Sequence, residues 1–158
     1  MTTIAYKDGV LAFDSRVTED DVPLGTVRKG IQTDRFLAAA AGDLDIVHEF
    51  LKWIADDLNP PKKPKLGKGE DFTGWVIDSS GRLTEYSKSL KPVRYSAEFY
   101  SIGSGANFAK GAMAAGSTAK EAVTIAAKFD PATGGDIHEL QVSTLKVKRG
   151  KKETRSRR

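Results

Sequence analysis

Asp8-Gly9 separates two short runs that read as strands, Thr2 to Lys7 and Val10 to Asp14. A two-residue loop of this kind forms a type I′ turn, which needs positive φ at both central positions, and Asp-Gly supplies them. The chain therefore enters a sheet with its first residues, and its N-terminus is pinned where most termini fray.

Later segments carry the same signature. Val27 to Thr33 and Phe36 to Ala41 predict a second strand pair around Thr33-Asp34, and Trp75 to Asp78 a third with Leu83 to Tyr86. Val93 to Ile102 and Ile137 to Leu145 read as single strands. Ala38 to Ala41 favours helix by intrinsic propensity, yet Gly42-Asp43 follows at once and a better helix lies beyond. The run is read as a closely packed strand. Ile46, Phe50, Ile54 and Leu58 then recur every four residues, the period of a helix, with Asp43 as N-cap and Pro60-Pro61 as the stop. His48 falls between the apolar rows and reads as a partly exposed structural residue. Asn59 to Gly69 is a Pro/Lys/Gly loop. Gly103-Ser104-Gly105 opens a helix over Ala106 to Ala115, and Thr118-x-x-Glu121 is a capping box for a further helix to Phe129. Strands and helices arrive in blocks, which predicts the α+β class with helices on sheet faces.

A chain of 158 residues is one domain of ordinary size. No apolar run approaches the roughly 18–20 residues of a membrane span, and the N-terminus lacks a basic then apolar leader. The expectation is a cytoplasmic protein with no membrane partner. Charge is unevenly spread. Residues 146–158 hold eight Lys/Arg and one acid, so taking these from totals of 25 and 21 leaves 17 basic and 20 acidic residues in the body. This divides the chain into a domain over 1–145 and a basic tail over 146–158. Such a tail is either a solvated end or a contact for nucleic acid or an acidic partner.

The absence of cysteine excludes disulfides, thiolate metal sites and a thiol nucleophile, and two histidines are a poor basis for a triad. Hydroxyls, amines and carboxylates remain. One arrangement activates a hydroxyl without histidine: a threonine at the very N-terminus, whose α-amine takes its proton. That amine has a reference pKa of about 7.7–8.0, well placed for a general base. Thr2 is the candidate, because methionine before a small residue is expected to be trimmed.

Four segments bear on that candidate: Thr2-Thr3-Ile4-Ala5; Asp14-Ser15-Arg16-Val17-Thr18; Arg28-Lys29-Gly30 with Gly42 thirteen residues after Lys29; and Ile102-Gly103-Ser104-Gly105 with Asp130-x-x-Thr133-Gly134-Gly135. Together, and in this order, they resemble the proteasome β-subunit and HslV peptidase family, N-terminal threonine members of the Ntn-hydrolases. The resemblance covers about Thr2 to Leu145. It implies a four-layer αββα sandwich of two antiparallel sheets flanked by helices. It implies Thr2 as nucleophile, Lys29 and its partner Asp14 as the groups that tune it, and Ser104, Asp130 and Thr133 around the N-terminal amine. Gly42 would give the oxyanion hole its backbone N–H. The implied reaction is hydrolysis of peptide bonds in unfolded polypeptides, with no metal or organic cofactor. The implied assembly is a homo-oligomeric ring, fed by an ATP-dependent unfoldase. An amidase acting on a small substrate and a non-catalytic ring subunit are the alternatives. The family's second long helix is expected to be replaced here by the Lys/Pro loop at Asn59 to Gly69. Gly134-Gly135 receives no chemical role.

Overall fold

The computed structural model describes residues 1–147. Its first hairpin is the one that Asp8-Gly9 dictates: β1 (Thr3–Lys7) pairs antiparallel with β2 (Val10–Phe13), and the two turn residues have φ of 51° and 76°. The elements that follow are β3 (Arg16–Glu19), β4 (Val22–Thr26), β5 (Gly30–Gln32), β6 (Phe36–Gly42), α1 (Leu44–Ala55), β7 (Phe72–Asp78) and β8 (Leu83–Tyr86). Then come β9 (Pro92–Val93), β10 (Phe99–Gly103), α2 (Ala106–Ala114), α3 (Ala119–Phe129) and β11 (His138–Gln141).

One sheet runs β10-β1-β2-β11, a second β5-β6-β7-β8-β9, and β3-β4 forms a separate ribbon. Side-chain alternation stacks the layers. In β6, Ala38 and Ala40 join Val47, Phe50 and Ile54 of α1 in one apolar cluster. Leu37, Ala39 and Ala41 point the other way, to Ile4, Leu11, Phe13 and Trp75 between the sheets. On the far face of the first sheet, Ala5 and Ala12 pack against Ala109, Ala122, Val123 and Ala126 of α2 and α3. The order of layers is thus α1, sheet, sheet, α2/α3. This is the α+β, four-layer αββα arrangement, and its period of two shows why the alanine run is a strand: both faces are buried, and small side chains let the layers close.

Differences from expectation are local. Helix α1 ends at Ala55, because Asp57 and Leu58 take positive φ of 56° and 60° and the Leu58 N–H donates back to Trp53 O at 3.0 Å. That reversal returns Leu58 to the core, where it packs on the α1 cluster. Asp43 occupies the N-cap position, but its carboxylate accepts from Asp71 N–H at 2.8 Å instead of capping the helix. Between α1 and β7 the chain forms only a 3₁₀ turn at Pro60–Lys62. The run from Val93 to Ile102 is interrupted: Tyr100 Oη accepts from Ala97 N–H at 2.8 Å and donates to Tyr95 O at 3.1 Å, which holds residues 94–98 out of the strand. The last strand stops at Gln141 and a 3₁₀ turn follows. The β3–β4 hairpin is unforeseen. It turns at Asp20 and Asp21, both at positive φ.

Of the predicted tail, the residues from 148 onward lie outside the described residues; Lys146 pairs with Asp34 at 2.9 Å. No helix among the described residues is long and apolar enough to cross a membrane.

Candidate active site

The start of β1 lies between two strand ends. Thr3 sits opposite Gly103 of β10, and the Ser104 N–H donates to Thr2 O at 2.8 Å. Gly103 has φ of 99°, and a Cβ there would stand 1.7 Å from Thr2 O, so only glycine lets the two strands meet. On the other side Asp14 N–H donates to Thr3 O at 3.3 Å, and the Asp14 carboxylate accepts from Thr3 N–H at 3.0 Å. Thr2 is 3% exposed, while Met1 is 68% exposed.

Two polar networks meet here. The first centres on Lys29, 1% exposed and just ahead of β5. Its ammonium has three protons and finds three acceptors: Asp14 Oδ1 at 3.2 Å, Met1 O at 3.0 Å and Arg16 O at 2.5 Å. Burial pulls the Lys29 pKa below its ordinary value, while the Asp14 charge and hydrogen bond work against that fall. Asp14, fully buried, also accepts from Gly134 N–H at 3.0 Å and Arg16 N–H at 3.3 Å through Oδ2. With Thr3 N–H, that makes four donors on one carboxylate. A buried charge is tolerated when its partner and its hydrogen bonds are both present.

The second network centres on Asp130, the residue that caps the C-terminus of α3. Its Oδ2 accepts from Ser104 Oγ at 2.6 Å and from Thr133 Oγ1 at 2.5 Å. The Thr133 proton is thereby committed, so in the 2.6 Å contact between Thr3 Oγ1 and Thr133 Oγ1 it is Thr3 that donates. Gly105 N–H in turn donates to Thr3 Oγ1 at 3.1 Å. Burial alone would raise the Asp130 pKa. The hydrogen bonds from Ser104, Thr133 and Ala132 N–H, with the nearby N-terminal charge, hold it below its ordinary value.

The fold thus brings Thr2, Asp14, Lys29, Ser104, Asp130 and Thr133 around the first residues of β1. Gly42 ends β6 with φ of 129° and takes part in none of these hydrogen bonds. Sequence reasoning passed over three participants. Thr3 links both networks, through its N–H to Asp14 and its hydroxyl to Thr133. Arg16 lends its carbonyl to Lys29, and its guanidinium donates to Pro131 O at 2.9 Å. Gly134 feeds Asp14, and its carbonyl accepts from Ser15 and Arg16 N–H at 3.1 and 3.0 Å. The Asp-Ser-Arg triplet and the Gly-Gly pair were visible as motifs, but main-chain contacts leave no mark on side-chain chemistry. Among the described residues, no group of three or more His, Asp or Glu is gathered to hold a metal ion.

No protein-family model and no curated protein matches the chain. Solved structures do. The epoxomicin complex of BPH from Thiobacillus denitrificans superposes with a TM-score of 0.63 at 18% identity, over 88% of this chain and 96% of that one. HslV from Trypanosoma brucei gives 0.61 at 18% identity, over 89% and 98%. A second structure of BPH from Thiobacillus denitrificans gives 0.61 at 18% identity, over 88% and 95%. At that identity the likeness speaks for architecture, and the architecture is clear: this chain has the fold of the proteasome β-subunit and HslV family.

Proposed function

We propose that the chain is an N-terminal threonine peptidase, in which Thr2 becomes the nucleophile once Met1 is removed. The observation that carries this reading is the Lys29 ammonium, buried against Asp14 and donating to the carbonyl of the Met1–Thr2 peptide bond. Removal of Met1 deletes one of the three acceptors of Lys29 and creates an α-amine beside it. A cation beside it favours the neutral form of the new amine and the ionisation of the nearby hydroxyl. The amine takes the Thr2 Oγ1 proton as the oxygen attacks the scissile carbonyl. It returns the proton to the leaving amine, and then activates water to hydrolyse the acyl ester. Asp130, with Ser104 and Thr133, offers a negative site for the amine when it is protonated. Gly42 N–H, at the end of β6, is the proposed donor to the developing oxyanion.

The substrate is an unfolded polypeptide, and the sites work inside a homo-oligomeric ring that an ATP-dependent unfoldase supplies. Phe108 and Phe129, 43% and 64% exposed, stack at 5.5 Å on the outer face of α2 and α3, an apolar surface that a neighbouring subunit would cover. One observation favours a second reading, a non-catalytic subunit: while Met1 remains, Lys29 is fully satisfied and Thr2 is covered. Intact mass separates the two. The peptidase reading predicts a chain lacking Met1 that hydrolyses fluorogenic peptides, and a Thr2→Ala variant that assembles normally with no turnover. Full turnover in Thr2→Ala, or Met1 retained in a chain that cleaves peptides, overturns it.

A further inference from the structure

The far end of the sheets, where β1 reaches Lys7 and β7 turns at residues 79–82, has no part in the proposed chemistry. Two hollows open there side by side, of about 810 and 410 Å³, and Arg82 and Arg94 line both. Neither guanidinium has a carboxylate within ion-pair distance among the described residues, and both side chains are exposed. The smaller hollow adds Arg35 and Lys146, which are already paired with Asp57 and Asp34, and its one lining carboxylate is Asp78. Asp78 Oδ1 accepts from Ser80 N–H, Ser80 Oγ and Arg82 N–H, which fixes it as an anion that offsets part of the positive charge. Asp8 and Glu98 line the larger hollow and set a limit on its positive field.

The larger hollow also holds three tyrosines whose phenol protons are committed inward. Tyr6 donates to Gly81 O, Tyr100 to Tyr95 O and Tyr95 to Glu85 Oε2. Their rings are thus fixed in orientation. Tyr95, 46% exposed and 5.3 Å from the Tyr100 ring, lines the hollow beside the arginines. The chain leaves this surface through Lys146, and seven Lys/Arg stand among residues 148–158.

We propose that this surface binds single-stranded nucleic acid, with Arg82 and Arg94 on backbone phosphates and a base stacked on Tyr95. Guanidinium groups fit phosphate and carboxylate alike. The rigid aromatic face beside them is what favours a base-bearing polyanion over an acidic peptide. The proposal is independent of the peptidase reading, because none of its residues touches the Thr2 cluster.

The test is fluorescence anisotropy of the full chain with a labelled oligouridylate of about 15 nucleotides, a length within the range of single-strand sites, at several salt concentrations. Arg82→Ala/Arg94→Ala is expected to weaken binding about tenfold or more and to lower the salt slope by about 1.4, since each single-strand phosphate contact contributes about 0.7. Tyr95→Ala is expected to weaken oligouridylate binding at least fivefold while leaving heparin binding unchanged. Truncation after Val147 should weaken binding and leave the effect of the double arginine variant measurable. Three results overturn the proposal: no binding at low salt, full affinity in the double arginine variant (the tail alone being responsible), or equal displacement by polyglutamate with no effect of Tyr95→Ala (an acidic protein being the partner). Circular dichroism of each variant checks that these exposed substitutions leave the fold intact.

Discussion

At the scale of single residues, the Asp14–Lys29 pair is the part of the molecule most sensitive to change. Both side chains are buried, and each is satisfied by the other and by main-chain groups. Removing one partner leaves the other charged and uncompensated, at a cost of about 3–5 kcal/mol. Asp14→Ala, which also orphans the N–H groups of Thr3 and Gly134, is expected to lower stability by about that amount in urea unfolding. An unchanged midpoint would show that the pair carries no structural load. Asp130 makes a pH-dependent contribution. Its folded pKa lies below the ordinary 3.8, so its contribution is fully present above 3.8 and is lost as pH falls through the folded value. Asp130→Asn should therefore melt below the wild type at pH 7, and the gap should shrink as the wild type is titrated below 3.8. A gap that stayed constant down to pH 2 would contradict this. Lys29, Asp14 and Asp130 could be picked out from the sequence because the motifs that hold them resemble those of a known family. Thr3 and the Arg16 carbonyl could not, because they act through main-chain geometry that appears only when three strand ends converge.

At the scale of elements, the strong local signals held: the Asp-Gly hairpin, the 3.6-residue period of α1 and the capping box of α3. In that box the Glu121 N–H donates to Thr118 Oγ1 at 3.2 Å, and the Thr118 N–H donates to Glu121 Oε2 at 2.8 Å. Thr118→Ala is expected to cost about 1 kcal/mol, read as a fall in thermal midpoint with no change at the Thr2 cluster. Where reading failed, tertiary contacts decided. Leu58 left the helix to reach the core, and Tyr100 fastened residues 94–98 outside a strand. The alanine strand shows the balance most plainly, since helix propensity lost to burial on both faces. Ala39, fully buried between the sheets, has no room for growth. Ala39→Leu should destabilise by about 1–3 kcal/mol.

At the scale of the whole molecule, the α+β class with helices on sheet faces was legible because strands and helices fall in blocks, and the four-layer order was what the family resemblance implied. The proposed assembly is less so, because a surface that would meet a neighbour looks like any exposed residues in a single chain. The stacked Phe108–Phe129 pair is the best marker of such a surface. Phe108→Ser/Phe129→Ser is expected to shift the protein from an oligomer toward monomer in analytical ultracentrifugation. An unchanged sedimentation coefficient would move the interface elsewhere.

The central claim is that the buried Lys29 cation makes Thr2 reactive. It is tested most directly by following covalent labelling with a peptide epoxyketone by intact mass at neutral pH, comparing the wild type with a folded Lys29→Met variant. The account predicts a stoichiometric adduct on Thr2 of a chain lacking Met1, and labelling slowed at least a hundredfold in the variant. Labelling at the wild-type rate without the Lys29 ammonium would contradict it.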